Sequence, residues 1–359
     1  MKRPWLCALL VAALATAASP SWGNHVFMRG GPFGGVVLQI LPHPEEPETL
    51  YLASFGSGVF RSVDGGRRWE DVSRGLEDLT VMTLAMHPVD SRVLYAGTDS
   101  GLFISRDGGG EWSHGGAGIA ERNIRSLVVV PSRPTVLYAA TDQGVLWSWD
   151  QGRSWAARNT ELGIRDVRVL RLDPSHPDRL FAAGFGGVFR SEDGGERWQA
   201  ITRGLTNLQV RTLAGDPSRA EVLYAGTSGG GVFVTTDGGA HWRALNEGLG
   251  NLRVLSLAVM PGGELFAATV GGVYRLEPRG SSWERVGEGP LALTVTFVQG
   301  DSHRPGTVYA GTGGLVFVSE DHGRRWRNLA VSVGVSAGHQ DASAGVEYPA
   351  GTDSQAERR

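Results

Sequence analysis

The sequence predicts an all-β fold, a seven-bladed β-propeller of four-stranded antiparallel blades. Three observations carry that reading. Trp69, Trp112, Trp155, Trp198, Trp242, Trp283 and Trp326 recur about every 43 residues. A second aromatic series, Tyr51, Tyr95, Tyr138, Phe181, Tyr224, Phe266 and Tyr309, keeps the same period. Each repeat also holds four short apolar runs bounded by Gly, Pro and Asp. Four strands per unit of this length, repeated seven times, is the signature of propeller blades. No segment sustains a 3.6-residue apolar period, so helices are not expected.

The first segment reads as an address. Lys2 and Arg3 form a positive n-region, Trp5–Ala18 is an apolar run, and Pro20 breaks it. That layout is a signal peptide and is too short for a membrane span. Cleavage after Gly23 fits the small-residue rule through Ser21; Ala18 is the other option. A segment 1–23 removed in this way carries off the only Lys and the only Cys, Cys7. The mature chain then has neither a lysine nor a thiol nucleophile and is expected to be exported, periplasmic or extracellular, with no transmembrane segment.

The second repeat illustrates the blade. Its runs are Val81–Met86, Leu94–Thr98, Gly101–Ser105 and a fourth starting at Trp112. They are rich in Val, Leu, Phe and Tyr, as strands are. The Ala-Gly-Thr ending of the second run fits close packing near the axis. Phasing places the first strand near Val36 and a propeller over 24–336. Closure could use an N-terminal strand from His25–Gly31 or the segment Trp326–Val333. Residues 337–359 are small and polar and read as a disordered tail.

A second signature precedes the tryptophans: Ser62-x-Asp64-Gly65-Gly66-x-x-Trp69. It recurs around Asp107 and Trp112, Asp150 and Trp155, Asp193 and Trp198, Asp237 and Trp242, and Asp321 and Trp326. In the sixth repeat Leu276 and Pro278 replace the hydroxyl and the acid. The pattern resembles the Asp-box (BNR) repeat, S/T-x-D-x-G-x-x-W, from about Val36 to Trp326. Its chemistry is local: Ser and Asp side chains satisfy turn amides, Gly supplies positive φ, and Trp fills the space between blades. The row of Asp is therefore read as structural rather than as a catalytic or metal array. His43, His87, His176 and His303 recur as turn residues, and neither a metal nor a cofactor is expected.

The candidate site is basic. Arg125, Arg168 and Arg211 occupy one position of three successive repeats, at the start of the innermost strand; Leu38, Met82, Leu255 and Val295 are expected there in the others. Arg74, Arg122, Arg165, Arg203 and Arg253 lie in neighbouring loops on the same face. A guanidinium arc at a channel mouth is suited to gripping carboxylates. The competing reading is compositional bias, with Glu77, Asp78, Glu121, Glu161, Asp166 and Glu247 neutralising the arginines. The net charge of −3 makes no overall case for nucleic acid.

Among single-propeller relatives the chain resembles the photosystem II assembly and stability factor family in length, export, repeat and Arg-rich face. The resemblance implies a non-enzymatic, monomeric factor that binds a protein or peptide, such as a segment of an unassembled membrane protein. Sialidases and xyloglucanases are similar more distantly and imply the alternative, a carbohydrate-active hydrolase or carbohydrate-binding propeller. Against it stand the missing Arg-Ile-Pro motif and the lack of a recognisable carboxylate pair. Sortilin-like propellers are similar too, but have more blades and a Cys-rich region.

Overall fold

The computed structural model describes residues 35–301, 303–329 and 332–333. The expected signal segment 1–23, the His25–Gly31 strand and the tail 337–359 lie outside the described residues. Seven antiparallel sheets follow one another along the chain, each made of four consecutive strands. The first comprises Val36–Pro42, Leu50–Phe55, Gly58–Ser62 and Arg68–Asp71, and the second Val81–Met86, Leu94–Thr98, Leu102–Ser105 and Trp112–His114. Among the described residues the only helical element is a 3-10 turn, Gly289–Ala292, which has Pro290 in its first turn and buries Leu291 beside blades six and seven.

The core lies between blades. Second strands such as Leu94–Thr98 and Leu137–Thr141 are buried at every position. One cluster joins Tyr95, Leu102 and Ile104 of blade two to Ile124, Leu127, Leu137, Ala139 and Trp155 of blade three. The small residues ending the second strands make room for the next blade. A Cβ at Gly97 would lie 2.6 Å from Ile124 Cγ2.

The Asp-box turns repeat one hydrogen-bond pattern. In blade one the Ser62 hydroxyl donates to Asp64 Oδ1 (2.9 Å) and accepts the Gly66 N–H (2.8 Å), while Asp64 Oδ1 accepts the Arg68 N–H (2.8 Å). Blades two to five and seven reproduce it around Asp107, Asp150, Asp193, Asp237 and Asp321. Gln151, Arg279 and His322 stand where other boxes have their first glycine, and all three keep the left-handed backbone, φ 60–62°.

Trp also ties neighbouring blades together. Its backbone N–H reaches the carbonyl of the residue five places after the preceding blade's Trp: Trp112 to Arg74 at 2.9 Å, Trp155 to Ala117 at 3.0 Å, Trp198 to Thr160 at 3.0 Å, Trp242 to Arg203 at 2.8 Å and Trp283 to Glu247 at 2.8 Å. The indole N–H of Trp112, Trp198, Trp242 and Trp283 donates to the carbonyl two residues before that one. The other three indoles turn back to their own box, as Trp155 does to the Gly152 carbonyl (3.0 Å).

Closure uses the same clasp. Ser332–Val333 pairs in parallel with Arg68–Trp69 of blade one, as Ala117 bridges to Ser154 and Thr160 to Arg197 elsewhere. The outer strand of blade seven, Arg327–Asn328, stays in its own sheet. Near the axis, the Val37 N–H donates to the Gly313 carbonyl (2.8 Å) and the Thr296 hydroxyl to the Val37 carbonyl (2.8 Å). The C-terminal segment thus clasps blade seven to blade one without strand exchange.

Candidate functional site

At the head of every innermost strand stands a fully buried β-branched residue: Val37, Val81, Ile124, Val167, Val210, Val254 and Val295. In blades one to six the next residue is a β-bulge. Leu38, Met82, Arg125, Arg168, Arg211 and Leu255 are each skipped in the pairing with the second strand. A bulge bends its strand and re-aims the extra side chain. The three arginines therefore occupy the one position per blade that is released from the alternating pattern. In blade seven the corresponding residue is Thr296 rather than Val295. Thr296 lies 13 residues after Trp283, the spacing every other blade keeps, and Val295 is the buried anchor before it.

The arc forms a polar chain across blades two to five. Asn123 donates to Asp99 (2.6 Å) and accepts from Arg125 Nε (3.2 Å). Arg125 pairs through Nη1 with Asp166 Oδ1, and Arg168 Nη2 reaches the other carboxylate oxygen at 3.2 Å. The Arg168 guanidinium lies 4.0 Å over the Phe185 ring, and that of Arg211 is 5.8 Å from the same ring. Arg211 Nε donates to the Ser228 hydroxyl at 2.6 Å.

These cations are crowded and recessed. The Arg168 side chain is only 8% exposed and its Nε has no hydrogen-bond partner; that of Arg125 is 18% exposed. Burial, followed by the neighbouring charges of Arg168, Arg253 and Arg125, pushes Arg211 down to about 10. Burial also lowers Arg168. Of the expected residues, Arg125, Arg168, Arg211 and Arg253 are thus brought together. Arg122 is half-buried and Arg165 exposed, each three residues before an arc arginine. Arg74 and Arg203 do not join them, because their carbonyls receive the next blade's Trp N–H at the outer edge. Arg203 there lines an open groove of about 330 Å³ with Arg190 and Gln199–Thr202.

Of the six acids named as neutralising, Asp166 is the one seen pairing with the arc. Asp166 serves two of the three arc arginines. Asp78 instead accepts the backbone N–H groups of Thr80 and Ser100, and Glu77 pairs with His114. Burial first, and then Asp78 and Asp142, raises Asp99. Asp78 itself is committed to two backbone amides.

The family model for Photosynthesis system II assembly factor YCF48 matches residues 63–339. The chain belongs to the YCF48 family. The solved structure of YCF48 bound to D1 peptide superposes with a TM-score of 0.54 at 20% identity, covering 69% of this chain and 80% of that one. YCF48 from Cyanidioschyzon merolae gives 0.60 at 15% identity, covering 80% and 96%. The GH74 xyloglucanase from Xanthomonas campestris gives 0.68 at 18% identity, covering 82% of this chain and 53% of the enzyme. The chain therefore spans about half the length of that enzyme, and at these identities the likeness shows the fold alone. No curated protein sequence matches the chain.

Other arginines of this YCF48-family chain have structural work. Arg61, Arg158, Arg190 and Arg275 donate to box carbonyls of the next blade, at Gly108, Gly194, Gly238 and His322. In blade three, Trp147 occupies the strand position that holds Arg61, Arg190 and Arg275 elsewhere. Arg158 reaches in from the outer strand and stacks 3.9 Å over Trp147. Two neighbours of the arc were missed by sequence reasoning. Phe185 was visible only as part of the Gly184–Gly187 strand connection. Arg171, three residues after Arg168, lies further along the same strand and donates to the Gly215 carbonyl at 3.1 Å. The Arg-x-x-Arg spacing was the available signal for it. Among the described residues no group of three or more His, Cys, Asp or Glu is placed to hold a metal.

Proposed function

We propose that this YCF48-family chain is an exported, monomeric, non-enzymatic assembly factor that grips a carboxylate-bearing peptide segment of an unassembled client, such as a membrane protein. The grip is assigned to Arg125, Arg168 and Arg211, with Arg253, Arg122 and Arg165 on the approach. One observation carries the reading: three successive blades place arginine at the bulged position of the inner strand. Crowded, half-buried guanidinium groups repel one another, and an incoming carboxylate relieves that repulsion. Family membership and the existence of a YCF48 complex with D1 peptide support a peptide as the ligand class. Export rests on the Lys2–Ala18 segment.

The test is capture from the native cell envelope with the mature chain as bait, read by cross-linking and mass spectrometry. Wild type should retain a client that R125E/R168E/R211E does not. Equal recovery by both baits, or cross-links confined to the opposite face, would overturn the assignment. Chain-dependent release of reducing sugar from xyloglucan would instead support the hydrolase reading.

A further inference from the structure

The same face carries an apolar rim in a fixed register. Ten residues after each of the first six box Trp, two before the buried anchor of the next inner strand, stand Leu79, Arg122, Arg165, Leu208, Leu252 and Leu293. The four leucines are 43%, 43%, 42% and 57% exposed. Isolated exposed leucines are ordinary; four at one repeat position are a pattern. Backbone bonds hold three of them in place. The Leu79 carbonyl accepts the Gly58 N–H, Leu208 that of Gly186 and Leu252 that of Gly231, each in a hairpin of the preceding blade.

The two arginines in this rim series fall in blades three and four, above Arg125 and Arg168. The bulge series overlaps this division without matching it: Arg stands in blades three to five, Leu38, Met82 and Leu255 in blades one, two and six, and Thr296 at the corresponding position of blade seven. The face is therefore split. Blades three to five carry the bulge arginines, and the exposed rim leucines stand in blades five, six, seven and two, with Leu208 and Leu252 at the boundary where Arg211 and Arg253 also lie.

We infer that the occupant of this face is an amphipathic peptide segment that lays acidic side chains on the arginine sector and apolar side chains on the Leu208–Leu252–Leu293 rim. This deepens the proposed peptide-binding function and rests on it. Charge complementarity argues for a peptide over an anionic membrane. The arc arginines are recessed below the leucines, and Asp166 and Asp99 share the mouth with them. Side chains of a peptide can reach into the mouth, whereas a headgroup plane meets the rim first, where of this series only Arg122 and Arg165 are cations, and does not reach the recessed arc.

The experiment uses the full mature chain and two labelled peptides of about 18 residues, followed by fluorescence anisotropy. One probe has Glu on one helical face and Leu on the other. The second keeps the Glu and carries Gln and Ser in place of Leu. Wild type should bind the amphipathic probe at least about tenfold tighter than the polar one, a difference of about 1.4 kcal/mol. In L208Q/L252Q/L293Q the ratio should fall to about one, and in L293Q alone it should fall part of the way. A ratio that persists in the triple variant overturns the inference while leaving the arginine reading standing. So does leucine-dependent binding of phosphatidylserine vesicles in preference to the peptide, or leucine-dependent self-association in sedimentation. If wild type binds neither probe, the arginine reading itself fails.

Discussion

Trp198→Ala tests the inter-blade role of the box tryptophan. Trp198 is buried and packs with Tyr138, Val145 and Leu180 of blades three and four. Its indole N–H donates to the Arg158 carbonyl (2.9 Å) and its backbone N–H to that of Thr160. Truncation of a buried Trp costs about 3–5 kcal/mol in lost transfer energy and cavity. For a domain of about 300 residues, an unfolding entropy near 2.1 cal/mol/K per residue converts that into a melting-temperature drop of roughly 5–8 °C. The backbone clasp survives the substitution, so blade order should be kept. Trp198→Phe separates the two terms, because it keeps most of the ring volume and removes only the indole bond, at a cost of about 1 kcal/mol. The assay is urea denaturation followed by far-UV circular dichroism. A loss under about 1 kcal/mol for Trp198→Ala, or equal losses for the two variants, would refute the account of Trp198 as an inter-blade wedge.

Three further outcomes follow from the fold. Gln151→Gly and Glu161→Gly replace side chains held at φ 61° and 63°; together they should add roughly 1–2 kcal/mol in urea denaturation, and a loss would contradict strain at those turns. Backbone N–H donors at Glu111 and His241, with the box hydroxyls, hold Asp107 and Asp237 below the ordinary carboxylate range; in Asp64, Asp150, Asp193 and Asp321 burial opposes the shift but the same kinds of donor prevail. Because these folded-state values are depressed, their stabilisation is present above the unfolded carboxylate value of about 3.9 and is lost as pH falls through the folded values. Melting temperature should therefore fall steadily on acidification below about pH 4, and a flat profile down to pH 2 would contradict the box geometry. A chain cut short just before Ser332 loses the Ser332–Val333 clasp on blade one and should be less stable by about 1–2 kcal/mol, with faster hydrogen exchange at Arg68 and Trp69 than at Arg197 and Trp198.

The blade plan was legible because it is written in local chemistry repeated seven times. One Trp and one Tyr or Phe per repeat, with an Asp-box turn in six of the seven, placed all seven blades, and the runs of the second repeat agree with its strands to within a residue. The arginine series was visible as a periodicity, but the bulge that re-aims it was not. A bulge changes pairing with the second strand, some fifteen residues away, and leaves no mark on the strand's own composition. Val295 was mistaken for Thr296 because the apolar character of the run outweighed the constant spacing from Trp283. The structural arginines were hidden for a different reason: Arg61, Arg158, Arg190 and Arg275 serve carbonyls in the following repeat, and guanidinium-to-carbonyl contacts carry no residue-type signature. Closure was undecided between two segments because both could supply an outer strand; Trp326–Val333 is the one that does, with Arg327–Asn328 as blade seven's outer strand, and the parallel clasp of Ser332–Val333 onto Arg68–Trp69 is the part the sequence did not show.

The central claim is that Arg125, Arg168 and Arg211 grip a carboxylate-bearing peptide. Its most direct measurement is calorimetric titration of the mature chain and of R125Q/R168Q/R211Q with the client segment identified by cross-linking, at two ionic strengths. The account predicts at least about a hundredfold loss of affinity in the variant, and a salt dependence in wild type that the variant loses. Equal affinity and equal salt dependence in the two proteins would contradict it.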